Sequence, residues 1–140
     1  MENLHLKSTP FTPEVDFSKN GHLTLSGRSL PENALKFFEP LLEWIQNYSG
    51  NSIVCDIKLE YYNTTTSRFL FEFLEKMVDR VENNELKTCE VNWHYETGDE
   101  DHFEAGKYFE ELLEYPFHFI VHEEAEQFYT KPCYAERPDF

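Results

Sequence analysis

Alternating apolar and polar positions predict a β-strand near the middle of the chain. A strand with one buried face has a two-residue period, because successive side chains point to opposite faces. Such a period runs through residues 53–61, and its apolar positions are Ile53, Cys55, Ile57, Leu59 and Tyr61. A second run of the same kind, from Cys89 to Tyr95, predicts another strand.

The spacing of apolar residues changes just after the first of these strands. From Arg68 to Val81 they recur three and four residues apart, which is the pattern of one face of a helix. The change falls inside NTTTS, in which four consecutive hydroxyl residues follow Asn63. We call residues 61–68 the corner. A helix that begins here has Asn63 or Thr64 near its N-cap, where a side-chain oxygen accepts from first-turn amides.

Hairpin and capping signals complete the predicted order of elements. Two short alternating runs flank Asn20-Gly21, a dipeptide that favours a tight hairpin turn. Ser29 and Asp101 are each followed three residues later by Glu, which is the spacing of a helix capping box. The order β-β-α-β-α-β-α-β predicts a single α/β domain with a mixed sheet of about 4–5 strands and helices packed mainly on one face. A short run at residues 4–6 could add an edge strand.

The second face of this sheet should be polar, since every central strand alternates. We expect this open face to be solvated, or else to carry a contact surface. It would present the side chains of His22, Asp56, Lys58, Glu60, Glu90, Asn92, His94 and His118.

The amino-acid composition limits which binding partners and which cellular compartment we expect for this protein. The 140 residues hold 12 Lys and Arg against 27 Asp and Glu, and the net charge of −15 argues against binding nucleic acid or an anionic membrane surface. The three cysteines, Cys55, Cys89 and Cys133, are far apart and form no CxxC pair, so we expect free thiols in a reducing cytoplasm. The sequence has no signal-peptide pattern and no apolar run long enough to span a bilayer.

Known catalytic and metal-binding patterns are absent from the sequence. It contains no GxSxG, P-loop, GxGxxG or HExxH motif. The acidic loop from Asp99 to Asp101 lacks the glycine that a calcium loop requires at position six. His118 and His122 share a strand face, but about 13 Å separates such positions, too far for one ion. We therefore predict no catalytic residue, no metal and no cofactor, with a small enzyme built from open-face histidines and acids as the alternative.

The residue types of the corner, taken alone, allow two interpretations. Plain helix capping accounts for an Asn or a hydroxyl residue here, and it is the simpler explanation. The alternative is a phosphate site, because the free amides and the dipole of a helix N-terminus favour an anion and Arg68 lies one turn on. Tyr61, Tyr62 and Phe71 could also form an exposed aromatic patch for a partner.

Three segments of the chain resemble the SiaC family of bacterial regulatory phosphoproteins. The matching segments are ENALKFFEPLLEWI (32–45), KLEYYNTTTSRFL (58–70) and VNWHYETGDEDHFEAGKYFEELLEYPFHFI (91–120). The resemblance implies a fold similar to STAS or anti-sigma-factor-antagonist domains over residues 1–125. Residues 126–140 form a C-terminal tail that we leave unassigned.

The resemblance also implies a function. It implies a non-enzymatic signalling protein that switches partners: a dedicated protein kinase phosphorylates one hydroxyl at a helix start, a phosphatase reverses this, and only the unphosphorylated form binds a target such as a diguanylate cyclase. By position the phosphoacceptor is Thr64, with Thr65 and Thr66 as alternatives. The predicted partner-binding residues are those of the corner: Tyr61, Tyr62, Asn63, Thr64, Thr65 and Arg68.

Overall fold

The computed structural model describes residues 1–124 and 127–131, which form six strands and three helices. The predicted order is confirmed, and the short N-terminal run forms an additional edge strand. The elements are β1 (Leu4–Leu6), β2 (Glu14–Phe17), β3 (His22–Ser29), α1 (Ala34–Asn47), β4 (Ser52–Tyr62), α2 (Thr64–Glu82), β5 (Thr88–Glu96), α3 (Glu100–Leu113) and β6 (His118–His122).

All six strands lie in one mixed sheet, in the spatial order β1-β2-β3-β4-β5-β6. The first three strands pair antiparallel, and β3 to β6 pair parallel through the three helices. Parallel strands that follow one another across a sheet through right-handed crossovers carry all their helices on one face. The predicted α/β architecture with helices on one face is therefore confirmed, and the sheet has six strands where four to five were expected.

The core lies between this face of the sheet and the helices. Phe17 of the hairpin is fully buried, and its ring lies 5.4 Å from that of Trp44 in α1 and 5.5 Å from that of Phe73 in α2. Cys55 and Cys89 are buried as predicted, and burial raises the pKa of both thiols. Cys133 lies outside the described residues.

The packing of α3 on the sheet depends on one glycine. Trp93 of β5 is fully buried, its indole N–H donates to the carbonyl oxygen of His102 at 3.0 Å, and its ring lies 5.5 Å from that of Phe109. A Cβ at Gly106 would lie only 2.6 Å from the indole nitrogen of Trp93. The absence of a side chain at Gly106 thus lets α3 pack directly on the Trp93 ring.

Two predicted helix starts were wrong. Asn33, not Ser29, caps α1, and Asp99, not Asp101, caps α3; each accepts from the backbone N–H three residues on, at 3.1 Å. Ser29 is unavailable because it is still part of β3, where it pairs with Tyr62. Among the described residues, no helix has the length and apolar character that crossing a membrane requires.

Candidate functional site

A β-bulge changes the direction of the side chains at the end of β4. Gly27 is opposite Leu59 and Arg28 is opposite Tyr61, so Glu60 is an extra residue without a partner in the ladder. The extra residue reverses the alternation, and Tyr61 leaves the buried side on which it was predicted. It is 50% exposed, with the guanidinium of Arg28 5.7 Å from its ring centre.

The same reversal turns Tyr62 towards the helices. Its ring meets that of Trp93 edge to face at 6.3 Å, and burial together with Asp99 raises the pKa of Tyr62 to about 12. Phe71 is also partly buried, since it stacks on Phe109 at 6.1 Å. The predicted aromatic patch is therefore wrong for two of its three members, and only Tyr61 is exposed.

Helix α2 begins directly after this bulge, and Asn63 caps it as predicted. The Asn63 side chain accepts from the backbone N–H of Thr66 at 2.9 Å, and its carbonyl accepts from Ser67 at 3.0 Å. The amides of Thr64 and Thr65 precede this first helical bond, so they have no partner within the helix. They lie at the positive end of a 19-residue helix.

The three threonines of the corner have very different environments. Thr64 and Thr65 are exposed, whereas Thr66 is fully buried. The Thr66 hydroxyl donates to the carbonyl oxygen of Ser29 at 3.1 Å, and the Ser29 hydroxyl lies 2.9 Å from the same Thr66 oxygen. The backbone N–H of Asn63 donates to that Ser29 carbonyl at 3.1 Å. The buried Ser29–Thr66 pair thus fixes the start of α2 to the end of β3.

The surface around the corner is mostly acidic. A shallow pocket of about 390 Å³ adjoins it, lined by Glu60, Tyr61, Tyr62, Asp99, Asp101, His102 and Ala105. Arg68 is exposed one turn along α2, and Arg28, which sequence reasoning missed, lies beside Tyr61. An anion at this surface therefore has favourable partners mainly in the α2 amides and these two arginines.

His102 was also missed by sequence reasoning. It is 8% exposed and stacks on Trp93 at 5.0 Å, and burial lowers its pKa, so the neutral imidazole is favoured. Its Nε2 atom is buried and has no hydrogen-bond partner within the part of the chain that the structure describes. Sequence pattern gave no signal for this residue, since His102 lies in the first turn of α3 and is buried there by its contact with Trp93.

A second polar cluster lies on the other face of the sheet, centred on Asp56. Its two carboxylate oxygens each lie 2.7 Å from an imidazole nitrogen, one of His22 and one of His94, and Asn92 donates to it at 3.2 Å. The second ring nitrogen of His94 lies 2.8 Å from His122. Burial by itself raises the pKa of Asp56, but the hydrogen bonds from these partners outweigh it and hold the pKa well below its usual range.

This part of the predicted open face is not solvated. Asn92 and His94 are only 9% and 6% exposed, and the ring of Phe128 stacks over the two histidines, 4.7 Å from the His122 ring and 6.4 Å from the His94 ring. Sequence periodicity placed the polar residues on this face correctly but could not show that a later segment covers them. Within the described ranges, no three His, Cys, Asp or Glu residues are arranged to hold a metal ion.

The fold of this chain is similar to the folds of solved structures from Pseudomonas aeruginosa. Apo-SiaC is 25% identical with a TM-score of 0.76, over 86% of this chain and 99% of that one. The SiaC structure in the complex of the diguanylate cyclase SiaD with its activator SiaC is 24% identical with a TM-score of 0.78, over 85% of this chain and 99% of that one.

Sequence comparison gives the family. An uncharacterized protein of Pseudomonas aeruginosa strain UCBPP-PA14 is 25% identical over 128 residues, which cover 89% of this chain and all of that one. Residues 6–122 match the family described as SiaC family regulatory phosphoprotein. The chain therefore belongs to the SiaC family of regulatory phosphoproteins.

Proposed function

We propose that this chain is a non-enzymatic binding module whose corner is switched by phosphorylation of Thr64. A protein kinase adds the phosphate and a phosphatase removes it, and the unphosphorylated corner binds a target protein. The observation that carries this proposal is the contrast among neighbouring hydroxyls: Thr64 and Thr65 are exposed, while the Thr66 hydroxyl is buried and hydrogen-bonded. A kinase must reach the hydroxyl it modifies, so Thr66 is the poorest of the three acceptors.

Thr64 is preferred over Thr65 for two reasons. It directly follows Asn63, the position that the family resemblance gives for the phosphoacceptor. It is also the first residue of α2, next to the amides that have no partner within the helix. A phosphate carries about −1.5 to −2 charges at neutral pH, and these amides with the helix dipole favour it there.

The same phosphate would oppose a bound partner. The corner already lies beside Glu60, Asp99 and Asp101, so added negative charge meets few compensating groups besides Arg28 and Arg68. An acidic or apolar partner surface pressed onto the corner would then face like-charge repulsion and a desolvation cost. The switch works at the contact surface and needs no refolding of the domain.

A diguanylate cyclase is the proposed target class. The similar SiaC of Pseudomonas aeruginosa is the activator of the diguanylate cyclase SiaD and forms a complex with it. In this chain the contact would be made by the exposed residues at the corner, Tyr61, Thr64, Thr65 and Arg68, with Asn63 and Tyr62 holding their geometry.

Phosphosite mapping by mass spectrometry on the protein purified from its own host is the first test. We expect one phosphate on the peptide that contains residues 64–66, at Thr64. A phosphate at Thr65 would move the site by one residue, and one at Thr66 would contradict the accessibility argument. A corner that stays unmodified under all growth conditions would support plain capping.

A binding assay tests the switch itself. Thr64→Asp should weaken binding to the diguanylate cyclase of the same host, and Thr64→Ala should preserve it. Glu75→Gln, an exposed change of one charge elsewhere on α2, is the matched control. Equal binding by the Asp and Ala variants would refute phosphate control and leave an interaction protein that is not regulated in this way.

The alternative of a small enzyme depends on the Asp56 cluster. The structure does bring Asp56, His94 and His122 together, as general acid-base chemistry requires. However, His94 is only 6% exposed beneath Phe128, so a substrate could reach it only after Phe128 moves. The corner is therefore the better-supported site.

A further inference from the structure

The described part of the C-terminal tail lies across the sheet face opposite the helices. We call residues 127–131 the strap. It begins five residues after the family match ends at His122, so it is an addition to the matched region. Its contacts reach back to residues of β2, β3 and the N-terminal segment, more than 100 positions earlier in the chain.

Three hydrogen bonds anchor the strap. The backbone N–H of Thr130 donates to the Ser26 hydroxyl at 2.6 Å, and the Thr130 hydroxyl donates to Glu14 at 3.3 Å. The Ser8 hydroxyl donates to the carbonyl oxygen of Lys131 at 3.0 Å. With the strap in place, Ser8 and Ser26 are only 5% and 3% exposed, so opening the strap would exchange these bonds for bonds to water.

A glycine on the sheet accommodates the strap backbone. Gly27 has a φ of +124°, and a Cβ there would lie 3.0 Å from the carbonyl oxygen of Thr130. Glycine inside a strand commonly marks a place where another backbone approaches closely. Gly27 also adjoins the bulge that turns Tyr61 outwards, so one residue serves both the strap and the geometry of the corner.

The strap side chains alternate in their contacts. Phe128 lies over the imidazoles of His94 and His122, and Thr130 bonds to β2 and β3. Between them lies Tyr129, whose pKa is raised by burial and by the nearby carboxylate of Glu60. An extended segment has this two-residue alternation, with the first and third side chains on one side.

We propose that the strap is an intramolecular cover on a peptide-docking face, and that a partner of this face displaces it with an extended segment of the same chemistry. That chemistry is an aromatic residue to cover the imidazoles of His94 and His122, followed two positions later by a hydroxyl residue. The hydroxyl of this residue would bond to Glu14, and its backbone N–H would bond to Ser26. The chain thereby inhibits its own docking face. This inference concerns a different surface from the corner and does not depend on phosphorylation.

The first test measures closure in the full chain by the acylation of His94 with diethyl pyrocarbonate, read by mass spectrometry. Phe128→Ala and Thr130→Pro each remove one contact of the strap, the ring cover or the N–H donor. Lys131→Ala is the control, because only its carbonyl oxygen makes an anchoring bond. We expect acylation of His94 to be about tenfold faster in Thr130→Pro, in proportion to the open fraction, and unchanged in the control. Phe128→Ala should also be faster, because it removes the covering ring directly. An unchanged rate in both strap variants would refute closure.

The second test measures docking with a defined probe, the synthetic peptide EAEQFYTKP, which corresponds to residues 124–132. It is titrated to millimolar concentration into the ¹⁵N-labelled full chain, since a short tethered segment acts at about that effective concentration. We expect the amide signals of Ser26, Gly27 and Asn92 to shift in the Phe128→Ala variant at a peptide concentration about tenfold below that needed for the wild type. A peptide with Ala in place of its Phe should leave them unchanged. Equal titration of wild type and variant, or no shift in either, would overturn the proposal, whatever the outcome at the corner.

Discussion

Thr66→Val tests the claim that the three corner threonines have different tasks. Valine keeps the shape of threonine and removes only the hydroxyl. The Thr66 oxygen is fully buried, where it donates to the Ser29 carbonyl at 3.1 Å and lies 2.9 Å from the Ser29 hydroxyl. In the variant, the Ser29 carbonyl keeps the N–H of Asn63 at 3.1 Å, but the Ser29 hydroxyl loses its acceptor in a site with no access to water.

The expected loss of stability follows from the Ser29 hydroxyl, which has no acceptor in the variant. A buried donor without an acceptor costs about 1–3 kcal/mol, which exceeds the average net value of a hydrogen bond. For a domain of this size about 1 kcal/mol corresponds to about 4 °C in Tm, so Tm should fall by about 4–12 °C. Thr65→Val removes an exposed hydroxyl from the same turn and should change stability by less than about 0.5 kcal/mol.

Urea denaturation followed by circular dichroism provides the measurement, and a double-mutant cycle with Ser29→Ala provides the control. The two single losses should not add, because the double variant removes both members of the pair and leaves no stranded hydroxyl. The reasoning is refuted if Thr66→Val costs no more than Thr65→Val. Additive losses would show instead that the two hydroxyls are not partners in solution.

Three further predictions address other parts of the fold. Asn63→Ala should lower the free energy of unfolding, measured by urea denaturation, by about 1 kcal/mol, because the Thr66 amide loses its cap. Asn63→Asp should lower it by less, and equal losses in the two variants would argue against capping. Gly106→Ala should cost about 1–3 kcal/mol, because its Cβ would lie 2.6 Å from the indole nitrogen of Trp93; an unchanged Tm would show that α3 shifts freely. The pKa of His102 is lower in the folded chain than in the unfolded chain, so the unfolded chain binds more protons as the pH falls. The stability that neutral His102 provides is therefore present above about pH 6.5 and is lost as the pH falls through the folded pKa. His102→Gln should therefore flatten the fall in stability on acidification, and an identical pH profile would contradict the buried neutral state.

Much of the fold could be predicted because each strand and helix has a buried side with a regular period. The two-residue period of β4 and the helical period of α2 located the corner, and Asn63 is its cap as expected. The bulge at Glu60 could not be foreseen, since it depends on the partner strand, where Gly27 and Arg28 shift the register. Without it, Tyr61 and Tyr62 were assigned to the wrong faces.

The polar face of the sheet shows a second limit of local patterns. Alternation predicts which side chains leave the core, but it carries no information about what lies over them. His94 follows the pattern of a solvated strand position, but it is buried between Asp56, His122 and the ring of Phe128, which lies 34 positions later in the chain. The sequence contains one hint, since Gly27 interrupts a strand that otherwise has side chains at every position. The structure gives two reasons for a glycine there: its φ is +124°, and the carbonyl of Thr130 passes close to it.

Gly27 also joins the two candidate surfaces. On one side it accepts the backbone of the strap, and on the other it begins the bulge that leaves Glu60 unpaired and turns Tyr61 outwards. The carboxylate of that same Glu60 contributes to the raised pKa of Tyr129 in the strap, and it lies 3.9 Å from Arg28. A strap that opens would therefore take Tyr129 away from Glu60 and leave the contact between Glu60 and Arg28 in place. The bulge is thus the place where the strap and the corner adjoin each other, and Glu60→Gln changes a residue there without altering Thr64, Thr65 or Phe128.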